Sequence, residues 1–203
     1  MGTLLPTKTN LMKMQKSIAL SKQGQELLDK KKYILMREKE KYIGKKQEIE
    51  EAFSKAYQQA FHLLRDCNVD IGLNKVVEIA KKIEEKGNLD IKYRTVMGVD
   101  IPSVIYETDR DAEFPYGLLE TTISMDRAIE AFNYLKEILI KLAEIEITIT
   151  RLNEAIEKVQ TRANSLKNII IPRDEKTEKQ IADVLEERER EEFSRMKMIK
   201  NRA

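Results

Sequence analysis

A long heptad repeat of apolar residues dominates the second half of this sequence. Between Ala128 and Ile170 the apolar positions follow one another in steps that alternate three and four without a break. They are Ala128, Ala131, Leu135, Ile138, Leu142, Ile145, Ile149, Leu152, Ile156, Val159, Ala163, Leu166 and Ile170. This pattern, sustained over roughly six heptads, is typical of a coiled coil. Because the apolar seam is narrow, the helix needs a partner helix from this chain or from another one.

The N-terminal third of the chain offers that partner. From Leu11 to about Leu64 the pattern is helical, and one heptad position stays apolar or aromatic through six repeats. That position holds Leu28, Leu35, Tyr42, Ile49, Ala56 and Leu63. The second heptad position is much less apolar. We therefore expect this helix to be well packed at both ends and to bury little apolar surface in its middle. Gly24 and Gly44 lie inside it, and each costs about 1 kcal/mol relative to alanine.

A short insertion separates the two long helices. Residues 65–72 interrupt the helical pattern, and residues 74–86 predict a short amphipathic helix that Gly87 stops. Apolar residues alternate from 89 to 97, and a second strand is predicted over residues 101–107. Together these strands form a β-hairpin, with a turn predicted at residues 98–100. Pro102 confines the second strand to a sheet edge, because proline cannot donate a ladder hydrogen bond.

The remaining segments complete a mainly α fold. Residues 108–122 predict a loop, and Pro172 must kink or restart the second long helix before residues 176–200 become helical again. About 60 residues separate the two long helices, so we expect them to pair antiparallel within one chain. The predicted organisation is an N-terminal helix over 1–66, an α+β insertion over 67–122 and a C-terminal helix over 123–203.

Composition narrows the function classes. Charged residues make up 35% of the chain and aromatic residues 6%, which is the profile of long charged helices. One histidine and one cysteine argue against a zinc site, a histidine-based triad or an intrachain disulfide. No Gly-rich phosphate loop or nucleophile elbow occurs, and the many paired carboxylates fit solvated helix faces. We therefore expect no catalytic residue, metal or cofactor, and no segment that spans a membrane.

Blocks at both ends of the sequence resemble the D subunit of the V-type and A-type ATPases (ATP synthases). The N-terminal block contains Pro6-Thr7-Lys8 and Leu11, and later Leu27-Leu28-Asp29-Lys30-Lys31. The C-terminal block is similar to the family pattern R-x-N-A-L-x-x-x-x-I-P followed by E-R-x-E-x-F-x-R-x-K. It contains Arg162-Ala163-Asn164-Ser165-Leu166, Ile170-Ile171-Pro172-Arg173 and Glu187-Arg188-Glu189-Arg190-Glu191-Glu192-Phe193 with Arg195 and Lys197. A weaker match is Met97-Gly98-Val99-Asp100-Ile101-Pro102, in the predicted hairpin.

The sequence departs from this family pattern at two positions. Asp174 stands where the family usually has an apolar residue, and Ser165 stands where alanine is usual. Both affect the expected packing around Pro172.

The resemblance implies a central rotor shaft that transmits torque. The paired terminal helices would enter the hexameric ring of A and B subunits, one copy per complex, and the hairpin end would face the membrane rotor. A small stalk protein, the F subunit, would bind the side of the helices, and a socket subunit would link the shaft to the membrane ring. The protein would be cytoplasmic and peripheral to the membrane, and it would not bind nucleotide, nucleic acid or cofactor.

Two sets of residues are expected to make these contacts. The ring-contact set combines a basic run of the first helix with the chain ends and consists of Lys8, Leu11, Lys30, Lys31, Lys32, Arg188 and Arg195. Aromatic residues beyond what a two-helix seam requires are expected to bind the small stalk subunit, and these are Phe53, Tyr57, Phe61, Phe132 and Tyr134.

Two other function classes remain open from the residues alone. A coiled-coil scaffold or chaperone predicts self-association or client binding. A nucleic-acid-binding rod that uses the basic half-helix predicts an affinity that falls steeply with salt. The net charge of only +2 argues against the second, as does the lack of aromatic residues among the lysines.

Overall fold

Two long helical stretches, joined by a short helix and a hairpin, make up the protein. The computed structural model describes residues 5–82, 87–108 and 122–201. The elements are α1 (Lys8–Ile71), α2 (Leu73–Lys82), β1 (Gly87–Val96), β2 (Val99–Thr108), α3 (Ile123–Ser165) and α4 (Ile171–Lys200), with a π-helical segment at Leu166–Ile170. The predicted fold class is confirmed. The loop predicted over 108–122 lies, from 109 to 121, outside the described residues.

Helix α1 begins at a threonine cap. The backbone N–H of Asn10 donates to Thr7 Oγ1 at 3.3 Å, and the N–H of Leu11 donates to the Thr7 carbonyl at 3.0 Å. A threonine at this position satisfies a donor that the first turn of the helix leaves free.

The end of α1 differs from the sequence prediction. The pattern predicted an interruption over residues 65–72, but α1 continues without a break to Ile71. Cys67 is fully buried in a core cluster with Val76 and Ile79 of α2 and Met125 and Ala128 of α3. The tertiary burial of this face outweighs the weak local pattern. Gly72 then ends the helix with a φ of +91°, a conformation that glycine adopts without steric cost.

The turn of the hairpin lies earlier than the sequence predicted. Strands β1 and β2 pair antiparallel with Val96 opposite Val99, so the turn consists of Met97 and Gly98 and not of residues 98–100. Both turn residues have positive φ angles, 53° and 79°. Such a two-residue turn matches the right-handed twist of the flanking strands. Asp100 therefore belongs to β2.

Pro172 is accommodated by a π-helical segment without an intervening loop. The backbone N–H of Ile171 donates to the Leu166 carbonyl, a π-type hydrogen bond that closes this segment. Pro172 lies in the first turn of α4, where a backbone N–H has no acceptor within the helix. The missing N–H of proline therefore costs no hydrogen bond of α4. The helical path continues, and only the α-helical hydrogen-bond pattern is interrupted.

The chain divides into two compact units. The first unit comprises Met1–Ile34 and Ile156–Ala203, and the second comprises Leu35–Ala155. The predicted division at residues 66 and 122 stays a prediction.

The first unit pairs α1 with α3 and α4 antiparallel. Lys8 Nζ lies 2.7 Å from Glu189 Oε1, and Lys22 Nζ lies 2.7 Å from Glu175 Oε1. A residue later in α1 therefore pairs with a residue earlier in α4, which is the antiparallel order. The buried apolar side chains of this unit are Ile18, Val159, Ala163, Ile171 and Ile181.

The second unit pairs α1 with α3 in the same antiparallel sense. Lys46 Nζ lies 2.9 Å from Glu146 Oε1, and the rings of Phe61 and Phe132 lie 5.6 Å apart. The largest fully buried side chains of the described residues belong to this unit and are Leu35, Leu152, Thr148 and Cys67. The heptad seam predicted from the sequence is buried or half-buried along its whole length, from Ala128 to Ile170 across the two units.

Candidate partner-binding surfaces

The three consecutive lysines of the predicted ring-contact set have different environments. Lys30 and Lys31 are exposed, but Lys32 is half-buried. Lys32, Lys39 and Lys46 occupy the heptad position that continues as Phe53, Ala60 and Cys67, and each of the six is half-buried or buried. Their spacing by sevens, visible in the sequence, already indicated that Lys32 faces the partner helix. Lys30 and Lys31 are thus the most exposed of the three, and the ring contact of all three stays a prediction.

Lys46 shows how a lysine behaves at this heptad position. Its Nζ contacts Glu146 of α3 at 2.9 Å and Glu50 of its own helix at 3.3 Å. Hydrogen bonds to Glu146 and then Glu50 raise the pKa of Lys46 above its ordinary value of 10.5. The lysine therefore links the two helices where the seam has no apolar residue to bury.

The charged residues near the chain ends make contacts within the first unit. Lys8 pairs with Glu189, and a hydrogen bond to Glu189 raises the pKa of Lys8 above 10.5. Arg188 donates to the Pro6 carbonyl at 3.4 Å, and Arg195 lies 3.5 Å from Glu191 one helical turn away. These exposed contacts leave most donors of both arginines available to a partner.

Leu11 lies in an apolar groove of the first unit. Met12 of α1 and Ala182 and Leu185 of α4 line the same groove, and the pair of Lys8 and Glu189 forms its rim. Leu11 itself is half-buried. The two helices thus leave apolar surface open between them at this level.

Four of the five predicted aromatic residues form a continuous row in the second unit. The ring centroids are 5.9 Å apart between Phe53 and Tyr57, 4.4 Å between Tyr57 and Phe61, and 5.6 Å between Phe61 and Phe132. Residues four apart lie on one helix face, so α1 stacks three rings and α3 adds the fourth. Tyr57 and Phe61 are each 45% exposed. We call these four residues the aromatic row.

Tyr134 does not join the aromatic row. It is 57% exposed and makes no ring contact among those found in the described residues. Two residues along a helix correspond to a rotation of about 200°, so Tyr134 and Phe132 project from opposite sides of α3.

Three side chains hold the hairpin against the helices of the second unit. Arg94 of β1 donates to the Tyr42 hydroxyl of α1 at 3.0 Å. On α3, Glu144 accepts the backbone N–H of Val104 at 3.3 Å, and Arg151 donates to the Asp100 carbonyl at 2.7 Å. The sequence pattern predicted none of these three contacts. The seven-residue spacing of Glu144 and Arg151 shows only that both lie on one face of α3.

The buried part of the hairpin belongs to β2. Ile101 is 2% exposed and Pro102 is buried, whereas Met97 at the turn is 51% exposed. The Arg151 guanidinium also lies over the Tyr93 ring, 5.1 Å from its centroid. Of the six predicted hairpin residues, Met97, Gly98 and Asp100 are thus exposed, Val99 is half-buried, and Ile101 and Pro102 are buried.

The described residues contain no arrangement that suggests chemistry. In residues 5–82, 87–108 and 122–201 there is no group of three or more histidine, cysteine, aspartate or glutamate residues placed to hold a metal ion. Burial raises the pKa of the Cys67 thiol, and the Asp70 carboxylate adds to this, so the thiol stays protonated. None of the helices within those ranges is long and apolar enough to cross a membrane.

Comparisons with known proteins match nearly the whole chain. Residues 10–201 match the family described as the ATP synthase D subunit. The D subunit of the V-type ATP synthase of Thermotoga neapolitana is 34% identical over 200 residues, covering 98% of each chain. The D subunit of the A-type ATP synthase of Pyrococcus horikoshii is 36% identical over 197 residues, covering 96% of this chain and 92% of the relative. That of Methanopyrus kandleri is 35% identical, with 97% and 85% covered.

Proposed function

The chain belongs to the family of ATP synthase D subunits, the central-stalk component of V/A-type rotary ATPases, and on that premise we propose which of its surfaces meet the other subunits. As a non-catalytic stalk protein it transmits torque between the ATP-hydrolysing ring and the ion-translocating sector. Its partners are the A and B subunits of the ring, the small F subunit of the stalk and a socket subunit, with one copy of the chain per complex. It works on the cytoplasmic side, peripheral to the membrane.

The ring contact uses the first unit. The observation that carries it is the exposure of Lys30 and Lys31, on a helix pair whose Lys8 and Lys22 are instead paired with Glu189 and Glu175. The antiparallel register puts these lysines level with the exposed Lys158 and Arg162 of α3. In this stretch cations outnumber carboxylates, so acidic residues that line the bore of the ring are the matching chemistry.

Charge suits a rotating contact better than interlocking apolar side chains. A single shaft cannot match every position of a surrounding ring, and close-packed side chains lose their contact energy within a fraction of an ångström of displacement. Coulomb interactions fall off gradually with distance, so they persist while the shaft turns. Lys8, Leu11, Arg188 and Arg195 extend the contact toward the chain ends, and Lys32 supports the helix pair at its level.

The ring contact is tested by removing the two free lysines. Lys30→Ala combined with Lys31→Ala should lower the torque, or the coupling of ATP hydrolysis to ion transport, in the reconstituted complex. The fold should be unaffected because both side chains are exposed, and surface substitutions change stability by less than about 0.5 kcal/mol. The control is Lys55→Ala, an exposed lysine of the same helix in the second unit. Unchanged coupling in the double variant would contradict the proposed ring contact.

The aromatic row is the proposed contact for the small stalk subunit. Tyr57 and Phe61 expose nearly half of their surface although their rings stack into a preformed row. Rigid aromatic side chains are the residues that most often dominate binding energy at interfaces. We expect Tyr57→Ala and Phe132→Ala each to weaken binding of the small subunit by about 2 kcal/mol, as measured by calorimetry.

Tyr134 provides the matched control for that measurement. It is an exposed aromatic residue of the same helix as Phe132 but projects from the other side. Tyr134→Ala should therefore leave the affinity unchanged. Full affinity in the Tyr57 and Phe132 variants, or an equal loss in the Tyr134 variant, would contradict the proposed surface.

A further inference from the structure

The two edges of the hairpin differ in whether their outward backbone groups are hydrogen-bonded. In an antiparallel pair, every second residue directs its backbone N–H and C=O away from the partner strand. Counting from the turn-closing pair of Val96 and Val99, the outward positions of β2 are Asp100, Pro102, Val104 and Tyr106. Arg151 bonds the carbonyl of Asp100, Glu144 accepts the N–H of Val104, and Pro102 has no N–H to offer. Helix α3 therefore bonds the edge of β2 at Asp100 and Val104.

Within the described residues, nothing pairs with the other edge of β1. By the same register its outward residues are Leu89, Ile91, Tyr93 and Thr95. Hydrogen bonds found among the described residues include none from the backbone groups of these four. A strand edge that presents a row of unpaired N–H and C=O groups is a template for a further strand, and natural proteins usually blunt or cover such edges.

The open edge also carries exposed apolar side chains. Leu89, Ile91 and Tyr93 lie on one face of β1, and they are 52%, 46% and 61% exposed. Their cross-strand partners Tyr106, Val104 and Pro102 are half-buried or buried. The hairpin therefore packs with its β2 side and presents these three residues of β1, the outer row, to the surroundings.

Two cations of α3 lie over aromatic rings of the hairpin, one on each strand. The Arg151 guanidinium is 5.1 Å from the centroid of the Tyr93 ring, and Lys136 Nζ is 5.3 Å from that of Tyr106, which is opposite Leu89. Arg151 uses one of its five donors on Asp100, so others remain. Both cations belong to the helix that contacts β2, so the free edge of β1 carries an apolar row, which is complementary to a strand with apolar side chains at every second position.

We propose that the free edge of β1 accepts one extended strand from another subunit of the ATP synthase complex. The strand carries apolar side chains at every second position, and these cover Leu89, Ile91 and Tyr93. Backbone hydrogen bonds give such strand addition its affinity, and alternate side chains give it specificity. The inference rests on membership of the complex and not on the ring and small-subunit contacts proposed above, so either can fail alone.

Residue-resolved hydrogen exchange tests the proposal on the full chain, alone and in the assembled complex. In the isolated chain the inward amides of Asp90, Lys92 and Arg94 should be protected while those of Leu89, Ile91, Tyr93 and Thr95 exchange freely. In the complex the outward amides should slow by about 100-fold or more, because each then donates to the added strand. Outward amides that exchange equally fast in both states would overturn the proposal.

A pair of variants at one position separates the backbone contact from the side chain. Ile91→Pro removes an outward N–H that the hairpin itself does not use, just as Pro102 does on β2, so the hairpin still forms. Retained protection at Lys92 and Arg94 verifies this. Ile91→Pro should abolish protection of the outward amides in the complex, whereas Ile91→Ala, which keeps the N–H, should retain most of it. Equal protection in both variants would show that no strand pairs with this edge.

A second copy of this chain is the competing occupant. Native mass spectrometry and hydrogen exchange of the isolated chain over a concentration series distinguish the two. A monomer with free outward amides at every concentration supports a strand from another subunit. A dimer whose outward amides become protected as the concentration rises would overturn the proposal.

Discussion

The two units use the same pair of helices but are stabilised in different ways. In the first unit, contacts between helices at the exposed edges are largely polar, with Lys8 paired to Glu189, Lys22 to Glu175 and Gln15 bonded to Glu178. In the second unit, α2 and the hairpin add further layers. The largest fully buried side chains belong to that unit. A bare helix pair buries one narrow face, so it leaves most of its surface for partners, whereas an added layer makes a deeper core.

The first prediction compares the two cores and has the largest expected effect. Leu152→Ala in the second unit should lower the free energy of unfolding by about 4 kcal/mol, because a fully buried leucine leaves a cavity that its neighbours cannot fill. Ile181→Ala in the first unit, where one helix pair can relax toward solvent, should cost about 2 kcal/mol. Urea unfolding measures both. Leu139→Ala, at a half-exposed site, is the control, and equal costs at Leu152 and Ile181 would contradict the comparison.

The second prediction concerns one glycine of α1 in each unit. A Cβ at Gly44 would meet nothing within 4 Å, and one at Gly24 would lie 4.0 Å from Leu166 Cδ1, which is an ordinary contact. Close helix packing therefore requires neither glycine. Gly24→Ala and Gly44→Ala should each stabilise the chain by about 1 kcal/mol, through the higher helix propensity of alanine. A lower midpoint of thermal unfolding in either variant would show that the glycine is needed for packing after all.

The third prediction weakens the polar edge of the first unit. Lys22→Gln removes the ion pair with Glu175 and should cost less than about 1 kcal/mol, since both side chains are about half exposed. The loss should disappear in about 1 M salt, where charges are screened over about 3 Å. Lys16→Gln, at an exposed lysine of the same helix, is the control. A loss that persists at high salt would indicate a packing role for the Lys22 side chain.

The fourth and smallest effect depends on pH in the second unit. The pKa of Lys46 is raised in the folded state, so its pairing stabilises the fold below the ordinary value of 10.5 and is lost as the pH rises through the higher folded value. The difference in unfolding free energy between the wild type and Lys46→Gln should stay constant up to about pH 10 and then shrink. Lys55→Gln, at an exposed lysine of the same helix, is the control. A difference that persists at pH 12 would exclude ionic pairing as its source.

Much of the candidate surface was accessible from the sequence because it follows helical periodicity. The spacing of Phe53, Tyr57 and Phe61 by fours places them on one face of α1 and predicts a row. Lys32, Lys39 and Lys46 are spaced by sevens, and the next residue of that series is Phe53. This series places Lys32 on a different part of the helix surface from the exposed Lys30 and Lys31. Tyr134 and Phe132 both exceed what a two-helix seam requires, but two residues apart on a helix they project from opposite sides, so the ring contact of Phe132 does not extend to Tyr134.

Short-range periodicity in the sequence was enough to specify the two long helices and the hairpin between them. Their antiparallel pairing was expected from the sequence, and the ion pairs within each unit show it. The end of α1 and the bonded edge of β2 depend instead on tertiary packing. Each rests on contacts between residues far apart in the sequence, such as Cys67 with Met125, or Glu144 with Val104. Local pattern cannot encode these contacts, because each exists only once packing brings its partners together.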